Sequence, residues 1–201
     1  MIESGALFLF GAAAGAGAAL AIPVTGRLLA RSLRLRSGAN ALVRQRRARR
    51  DLERLRLIDD NREAFLQLRE LDPLVFEDLV LAAYADTGAS VQYTLHKYRD
   101  GGIDGEILHR GQRYAMQAKR YRGRIDPGQV RQFVDLVRAR GDRYAGGVLV
   151  HSGRTGSAAW TALDAGSVRM VSGQGLLALI RGAGPPETWL PRPGGAGTGA
   201  A

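Results

Sequence analysis

The spacing of apolar residues changes repeatedly from residue 72 onward, and this alternation is the feature that most limits the possible folds of the chain. Asp72 followed by Pro73 is a typical helix start, and we expect that helix to end near Thr87 and Gly88. The predicted strands are 91–95, 103–108, 113–119, 147–151 and 168–171, and the later helices are 127–139, 155–165 and 175–180. This order predicts an α/β domain over residues 72–181, with a mixed sheet flanked by helices.

The segments on either side of this domain differ from it in composition. Residues 182–201 are rich in glycine and proline, and we expect them to be disordered. Residues 27–71 form a predicted helical linker in which Leu52, Leu55 and Ile58 recur at helical spacing. Its arginines either bind phosphates or lipid headgroups, or belong to a solvated stalk with a short coiled-coil seam, and the two interpretations are compatible. The most crowded arginines are Arg44, Arg46, Arg47, Arg49 and Arg50.

The first 26 residues predict a membrane anchor. The run 5–24 contains no charge, and about twenty such residues span a bilayer as a helix. The arginines that follow place the rest of the chain in the cytoplasm, which predicts a single-pass protein of the inner membrane. An uncleaved signal and a disordered Ala/Gly leader are the alternatives. Gly11 and Gly15 have the spacing at which two such helices can pack, so a homodimer is a further expectation.

The charge and composition of the whole chain narrow the classes of partner and of chemistry. The net charge of +10 favours an anionic partner, which is either a nucleic acid or an anionic membrane surface. The chain has no cysteine, and this excludes disulfides, thiolate zinc sites and cysteine nucleophiles. The three histidines, His96, His109 and His151, do not have metal-ligand spacing, and no acid is placed to orient His151 in a catalytic triad.

Two segments contain the side chains best suited to chemistry, KYRDGGIDGEI at 97–107 and YAMQAKRY at 114–121. Alternate side chains of a strand share a face, so Gln117 and Lys119 point the same way. Asp104 follows a pair of glycines and enters the neighbouring strand, and a hairpin through Arg110-Gly111-Gln112 brings it toward Gln117 and Lys119. An acid, an amide oxygen and an ammonium group are therefore expected to meet at one strand end.

This trio is suited to the hydrolysis of phosphodiesters. Asp104 can bind Mg²⁺, which prefers oxygen ligands, and Gln117 can offer a neutral amide oxygen. The backbone carbonyl of Ala118 could supply another oxygen. Lys119 can orient a water or stabilise negative charge that develops on the phosphate. Together these residues suit metal-assisted hydrolysis of phosphodiesters, whereas taken singly a Gln-x-Lys on a strand is usually a solvated edge and an Asp beside Gly is usually a turn.

The same motifs resemble the catalytic domain of Mrr-type restriction endonucleases, a branch of the PD-(D/E)xK nucleases. The resemblance covers about residues 72–181 and implies a restriction-endonuclease-like mixed sheet with metal-dependent DNA cleavage that uses Mg²⁺ or Mn²⁺. The similar residues are Phe76-Glu77, the segments DGGIDG at 100–105 and QAKRY at 117–121, and the later segments VLVHSGRTGSAA and VSGQGLLALI.

The resemblance also implies roles for single residues. Asp104 becomes the metal-binding acid and Lys119 the catalytic lysine. Gln117 stands where many relatives have Asp or Glu, a substitution typical of the Mrr branch. Glu77 is expected to restore the missing carboxylate, and the alternative is an ordinary exposed helical glutamate. Asp100 is expected to form a turn or to support the site from outside. Three further residues are expected either to contact the phosphates of a DNA backbone or to lie in a solvated loop: Arg120, Arg122 and Arg124.

The chain departs from the best-known members of that family outside the catalytic domain. Those members carry a separate DNA-reading domain, often a winged helix, where this chain has a hydrophobic segment and an arginine-rich helix. Specificity for modified bases therefore cannot be transferred. We expect a membrane-anchored, metal-dependent DNA endonuclease that faces the cytoplasm. The alternatives are a DNA-binding module that does not cleave, held at the membrane, and a membrane-surface assembly protein whose arginines bind lipid.

Overall fold

The computed structural model describes residues 22–94, 102–163 and 166–191, and of residues 22–38 the backbone alone. By contacts, residues 1–39 and 40–201 are two separate units, and the sheet belongs to the second. The helices are α1 Ile22–Arg56, α2 Asn61–Glu70, α3 Pro73–Asp86, α4 Pro127–Ala139, α5 Ser157–Thr161 and α6 Gly173–Ile180. The strands are β1 Ser90–Tyr93, β2 Gly105–His109, β3 Gln112–Lys119, β4 Gly146–His151 and β5 Val168–Val171, and a short 3₁₀ helix covers Pro186–Thr188.

The five strands form one mixed sheet in the order β1-β2-β3-β4-β5. The first three strands are antiparallel, and β4 and β5 run parallel to β3. Arg110 and Gly111 alone connect β2 to β3, because His109 pairs with Gln112. Both connecting residues have positive φ, 49° and 75°, as the tight turns that match strand twist require. The predicted mixed sheet and its hairpin are confirmed.

Helices cover both faces of the sheet. Helix α3 starts where the sequence predicts, because the Asp72 carboxylate accepts hydrogen bonds from the backbone N–H groups of Leu74 and Val75 at 2.9 and 3.2 Å. This helix packs on the face that carries Met116 and Ala118. Helix α4, capped by Asp126, packs on the opposite face. The core therefore has two layers, and the side chains that alternate along β3 enter different layers.

The second half of α1 belongs to the same compact unit as the sheet. Ala48, Leu52 and Leu55 are buried in one core with α3. The arginines of this stretch bind acids of α3: Arg44 lies 2.5 Å from Asp78, while Arg49 and Arg56 lie 2.6 and 2.7 Å from Asp86. Residues 40–71, predicted as the later part of a separate linker, thus belong to the compact unit, and a solvated stalk does not describe them.

The segment after α6 is ordered as far as Pro191, although the sequence predicts disorder from Gly182 onward. Trp189 is buried, and its indole Nε1 donates a hydrogen bond to the Ala183 carbonyl at 3.0 Å. The Tyr84 hydroxyl donates to the Trp189 carbonyl, also at 3.0 Å. The prediction of disorder is therefore wrong for residues 182–191, since a buried indole holds them against the core, and residues 192–201 lie outside the described part of the chain.

Two further predictions differ from the structure or lie outside it. Helix α5 begins at Ser157 and ends at Thr161, within the predicted 155–165; Thr155 lies before its N-cap, with its side chain bonded to Ser172 and His151, and residues 164 and 165 lie outside the described ranges. Across 22–94, 102–163 and 166–191, no helix is both long and apolar enough to cross a membrane. The uncharged run at 5–24 lies almost entirely outside these ranges, so the anchor stays a prediction.

Candidate active site

Asp104 lies immediately before β2 and extends the sheet with its side chain. Its backbone N–H donates to the Met116 carbonyl at 2.8 Å. Its carboxylate Oδ2 accepts from the Ala118 N–H at 2.9 Å, where a further residue of β2 would otherwise pair. The residue is only 6% exposed. The carboxylate is thereby fixed at the end of the β2–β3 hairpin, beside the strand segment that contains Gln117 and Lys119.

Gln117 is held in one orientation by the loop before β2. Its amide Nε2 donates to the Gly102 carbonyl at 2.6 Å, which leaves Oε1 as the other polar atom of the side chain. Gly102 has φ of 104°, and a Cβ atom there would lie 2.6 Å from Gln117 Nε2. Glycine is needed at this position both for its backbone angle and for the close approach of the amide.

Lys119 completes the predicted trio on the α4 face of β3. Its side chain borders a cavity of about 320 Å³ between β3 and α4. The residues around this cavity are Gly102, Gln117, Lys119, Tyr121, Gln129, Gln132, Phe133 and Leu136. The structure therefore brings Asp104, Gln117 and Lys119 to one strand end, as the sequence predicts, and places an open space beside two of them.

Glu77 approaches from the other face of the sheet. It is 8% exposed, so the alternative of an ordinary exposed helical glutamate is wrong. Leu81, one turn later on α3, packs over Gly105 at the start of β2, where a Cβ atom would lie 2.6 Å from its Cδ1. The N-terminal end of α3 follows Arg69, whose carbonyl accepts from Arg120 just after β3. Glu77 therefore lies one helical turn before the residue of α3 that covers the start of β2.

The three arginines after β3 have different surroundings. Arg120 donates from Nη1 to the Arg69 carbonyl at 2.5 Å, and its Nε is buried without a hydrogen bond. Its guanidinium group links the end of β3 to α2, so it is not available to contact the phosphates of DNA. Arg122 forms an exposed ion pair with Glu70 at 2.8 Å, and such pairs are weak in solvent. Arg124 is exposed. Arg122 and Arg124 thus stay accessible to a phosphate backbone.

A further buried carboxylate, Glu106, was not predicted from the sequence. It accepts hydrogen bonds from the Tyr144 hydroxyl and from Arg143 Nη2, both at 2.7 Å, and from Arg113. Burial alone raises the pKa of Glu106, but these three donors outweigh it and hold the pKa below its usual range. The donors come from β3 and from the loop between α4 and β4, and the one sequence signal at this position is that Glu106 follows Asp104 at a spacing of two. Because it is bound by two guanidinium groups, Glu106 is a structural acid.

His151 is buried in the ladder position beside Lys119. Its Nε2 lies 3.1 Å from the Thr155 hydroxyl, and its Nδ1 has no hydrogen-bond partner. Burial lowers its pKa to about 4, so the ring is neutral at physiological pH. The side chain of Thr155 in turn meets Ser172 at 2.9 Å. The polar contacts of His151 are therefore with a chain of hydroxyl groups.

The donor atoms at the strand end fit a hard divalent cation. Asp104 is a buried carboxylate and Gln117 Oε1 a neutral oxygen at this strand end, and Glu77 is a buried carboxylate of α3. The N–H of Ala118 points toward Asp104, so the carbonyl of the same residue points to that side of the strand as well. Within the part of the chain that the structure describes, no three side chains of the His, Cys, Asp and Glu types cluster as metal ligands. An oxygen-only site with few carboxylates suits Mg²⁺ or Mn²⁺ better than zinc.

A mixed sheet with helices on both faces, and an acid beside a Gln-x-Lys strand end, define the class of restriction-endonuclease-like nucleases. A protein-family model of the Mrr catalytic domain, described as restriction endonuclease, matches residues 68–180. Since this match covers more than half of the chain, the protein belongs to the Mrr-type restriction endonuclease family. Searches of curated proteins and of solved structures found no match.

Proposed function

We propose that this protein is a metal-dependent DNA endonuclease that hydrolyses phosphodiester bonds at Asp104, Gln117 and Lys119. The observation that supports this most directly is the hydrogen bond from the Ala118 N–H to Asp104 Oδ2 at 2.9 Å, which fixes the acid beside the residue that separates Gln117 from Lys119 in β3. Family membership independently supports nuclease chemistry on DNA.

Each residue of the site has a distinct part in the proposed reaction. Asp104, Glu77 and Gln117 Oε1 would hold Mg²⁺ or Mn²⁺, and the bound ion would polarise the phosphate and lower the pKa of a water. Lys119 would place its ammonium group against the negative charge that develops on the phosphate oxygens. Arg122 and Arg124 follow β3 directly and would contact phosphates on either side of the scissile bond.

The test is nicking of supercoiled plasmid by the full-length chain with Mg²⁺ or Mn²⁺, with EDTA as a control. Asp104→Ala and Lys119→Ala should abolish cleavage. Asp104→Asn is the sharper variant, because an amide oxygen can still accept from Ala118 while the metal loses a charged ligand. We expect its rate to fall by about a hundredfold or more.

Asp142→Asn, a change at an exposed aspartate, is the matched control and should cleave normally. Full activity of Asp104→Asn or of Lys119→Ala would exclude this site. Salt-sensitive DNA binding by the wild-type chain without any cleavage would favour a binding module, and liposome binding without DNA binding would favour a membrane-surface assembly protein.

We further propose that the nuclease is held at the cytoplasmic face of the inner membrane by residues 1–26, with its active site in the cytoplasm. The uncharged run at 5–24 and the arginines that follow support this. The full-length chain should fractionate with membranes after a high-salt wash, and deletion of residues 1–26 should release it. Release of the full-length chain by salt alone would mean that only basic residues hold it to anionic lipid.

A further inference from the structure

Helix α4 lines the cavity beside the active site with side chains that the proposed hydrolysis does not use. Gln129, Gln132 and Leu136 follow one another at helical spacing along the edge of α4 that borders this cavity. Gln132 is exposed, and Gln129 is partly buried. The Tyr121 hydroxyl donates to Gln129 Oε1, which fixes that amide and leaves its Nε2 as a donor.

The chemistry of the cavity suits a flat, uncharged ring with a polar edge. Tyr121 and Leu136, both partly exposed, supply aromatic and apolar surface on which a base can stack, and the buried Phe133 lies behind them. The amides of Gln129 and Gln132 can donate and accept hydrogen bonds, as the edges of nucleobases require. Its volume of about 320 Å³ is at the lower end of the range of pockets that hold small ligands, about 300–1,000 Å³.

The position of the cavity is as informative as its lining. Gln117 and Lys119 form one side of it, so a group bound there lies next to the strand end that holds Asp104. Among the described residues that line it there is no aspartate or glutamate, so this lining itself presents no carboxylate to a nucleic acid. A nucleotide whose phosphate reached Lys119 would therefore have its base within reach of α4.

We propose that this cavity accepts one nucleobase of the DNA, from the nucleotide next to the phosphate that is cleaved, and that Gln132 and Gln129 bind its edge. The base leaves its stack to enter, as in other enzymes that hold a base in a pocket. This inference rests on the proposed function for the position of the phosphate. It assigns to α4 a preference for particular bases within the catalytic domain itself.

The test is equilibrium binding of the four 2′-deoxynucleoside 5′-monophosphates to the full-length chain, compared with 2-deoxyribose 5-phosphate and inorganic phosphate. We expect at least one nucleotide to bind about tenfold more tightly than the baseless sugar phosphate, as stacking and amide contacts imply. Gln132→Ala should remove most of this difference, while the sugar phosphate binds as before. Gln67→Ala, at an exposed glutamine of α2, is the matched control and should leave the difference intact.

Equal binding of nucleotides and sugar phosphate, no detectable nucleotide binding at millimolar concentration, or an unchanged preference in Gln132→Ala would overturn the proposal. Tyr121→Phe provides a second variant, because it releases Gln129 and should change which base is preferred. Binding and cleavage separate the two proposals. A base preference in a chain that does not nick plasmid would support the base pocket and contradict the proposed function. Nicking without any base preference would support the proposed function and contradict the base pocket.

Discussion

Glu77 and Asp78 are neighbours on α3, but their side chains have different surroundings. Glu77 lies on the helix surface that continues to Leu81 and the start of β2. Asp78 is 1% exposed and binds Arg44 of α1 at 2.5 Å. A step of one residue turns a helix by about 100°, and this separates a candidate metal ligand from an acid that joins two helices.

Glu77→Gln should weaken the metal site without unfolding the protein. A site with Asp104 and a neutral Gln117 has little negative charge, so the loss of a second carboxylate should raise the Mg²⁺ concentration needed for half-maximal nicking by about tenfold or more. High Mg²⁺ should restore part of the activity. An unchanged metal dependence would mean that the site works with one carboxylate.

Asp78→Asn should lower the stability of the protein and leave its metal dependence unchanged. It leaves Arg44 without its charged partner in a partly buried position, and we expect a loss of roughly 1–3 kcal/mol in the free energy of unfolding. The metal dependence of nicking should stay close to that of the wild type. Urea denaturation measures the loss, with Arg50→Ala, an exposed arginine of α1, as the control. Unchanged stability would show that the ion pair contributes nothing.

Gln117→Glu is a further test at the scale of one residue. The glutamine amide donates to the Gly102 carbonyl at 2.6 Å, and a carboxylate there would place two acceptors together. We expect a loss of roughly 1–3 kcal/mol of stability in EDTA. Mg²⁺ should reverse this loss, because the new carboxylate would bind the ion and ligand binding stabilises the folded state. Denaturation with and without Mg²⁺ checks the prediction, and a loss that Mg²⁺ does not change would place Gln117 away from the metal.

At the scale of elements, the second half of α1 is part of the nuclease fold. Leu52 is fully buried against α3, whereas Leu42, on the same helix, is 58% exposed. We expect Leu52→Ala to lower the free energy of unfolding by about 2–5 kcal/mol and Leu42→Ala to change it little. Urea denaturation of the full-length variants distinguishes them. Equal effects would mean that α1 does not stabilise the domain.

The same element determines where the domain can be cut. A chain that starts at residue 72 would expose the surface of α3 that Leu52 and Leu55 cover, and it would leave Asp78 and Asp86 without their arginines. At the other end, removal of Trp189 would expose the core that the indole covers. A segment of residues 40–191 keeps all of these contacts.

At the scale of the whole molecule, stability should depend on pH through His151. Its folded pKa of about 4 lies below the unfolded value of about 6.5, so the unfolded chain binds the proton more readily. The free energy of unfolding therefore has its full value above about pH 6.5. It falls by roughly 3 kcal/mol as the pH decreases from there toward 4. His151→Leu should flatten this dependence, as measured by urea denaturation at several pH values. A slope equal to that of the wild type would assign the effect to other groups.

Glu106 and Asp86 affect a more acidic range. Ion pairs and hydrogen bonds hold the pKa of each carboxyl below its usual value. These two carboxylates stabilise the folded protein fully above their pKa in the unfolded chain, which is near 4. That stabilisation is lost as the pH falls through their lower pKa in the folded protein. These losses begin where the effect of His151 is nearly complete, so the two can be separated along one pH series.

The sequence alone determined the features that depend on nearby residues. Asp72 and Pro73 start α3, Arg110 and Gly111 connect β2 to β3, and a strand with Gln117 and Lys119 on one face follows from a period of two. Helix caps, tight turns and strand alternation are set within a few residues, so their signals survive without knowledge of the fold.

Only the tertiary structure decided which surface each element meets. Leu52 and Trp189 join the core, Asp78 binds Arg44, and Arg120 binds the end of α2, and each of these contacts joins residues that are far apart in the chain. An apolar stripe or an arginine in a sequence shows that a partner is needed but not which one. The partner depends on how the helices pack on the sheet, and that packing brings Gln129 and Gln132 to the cavity beside Lys119.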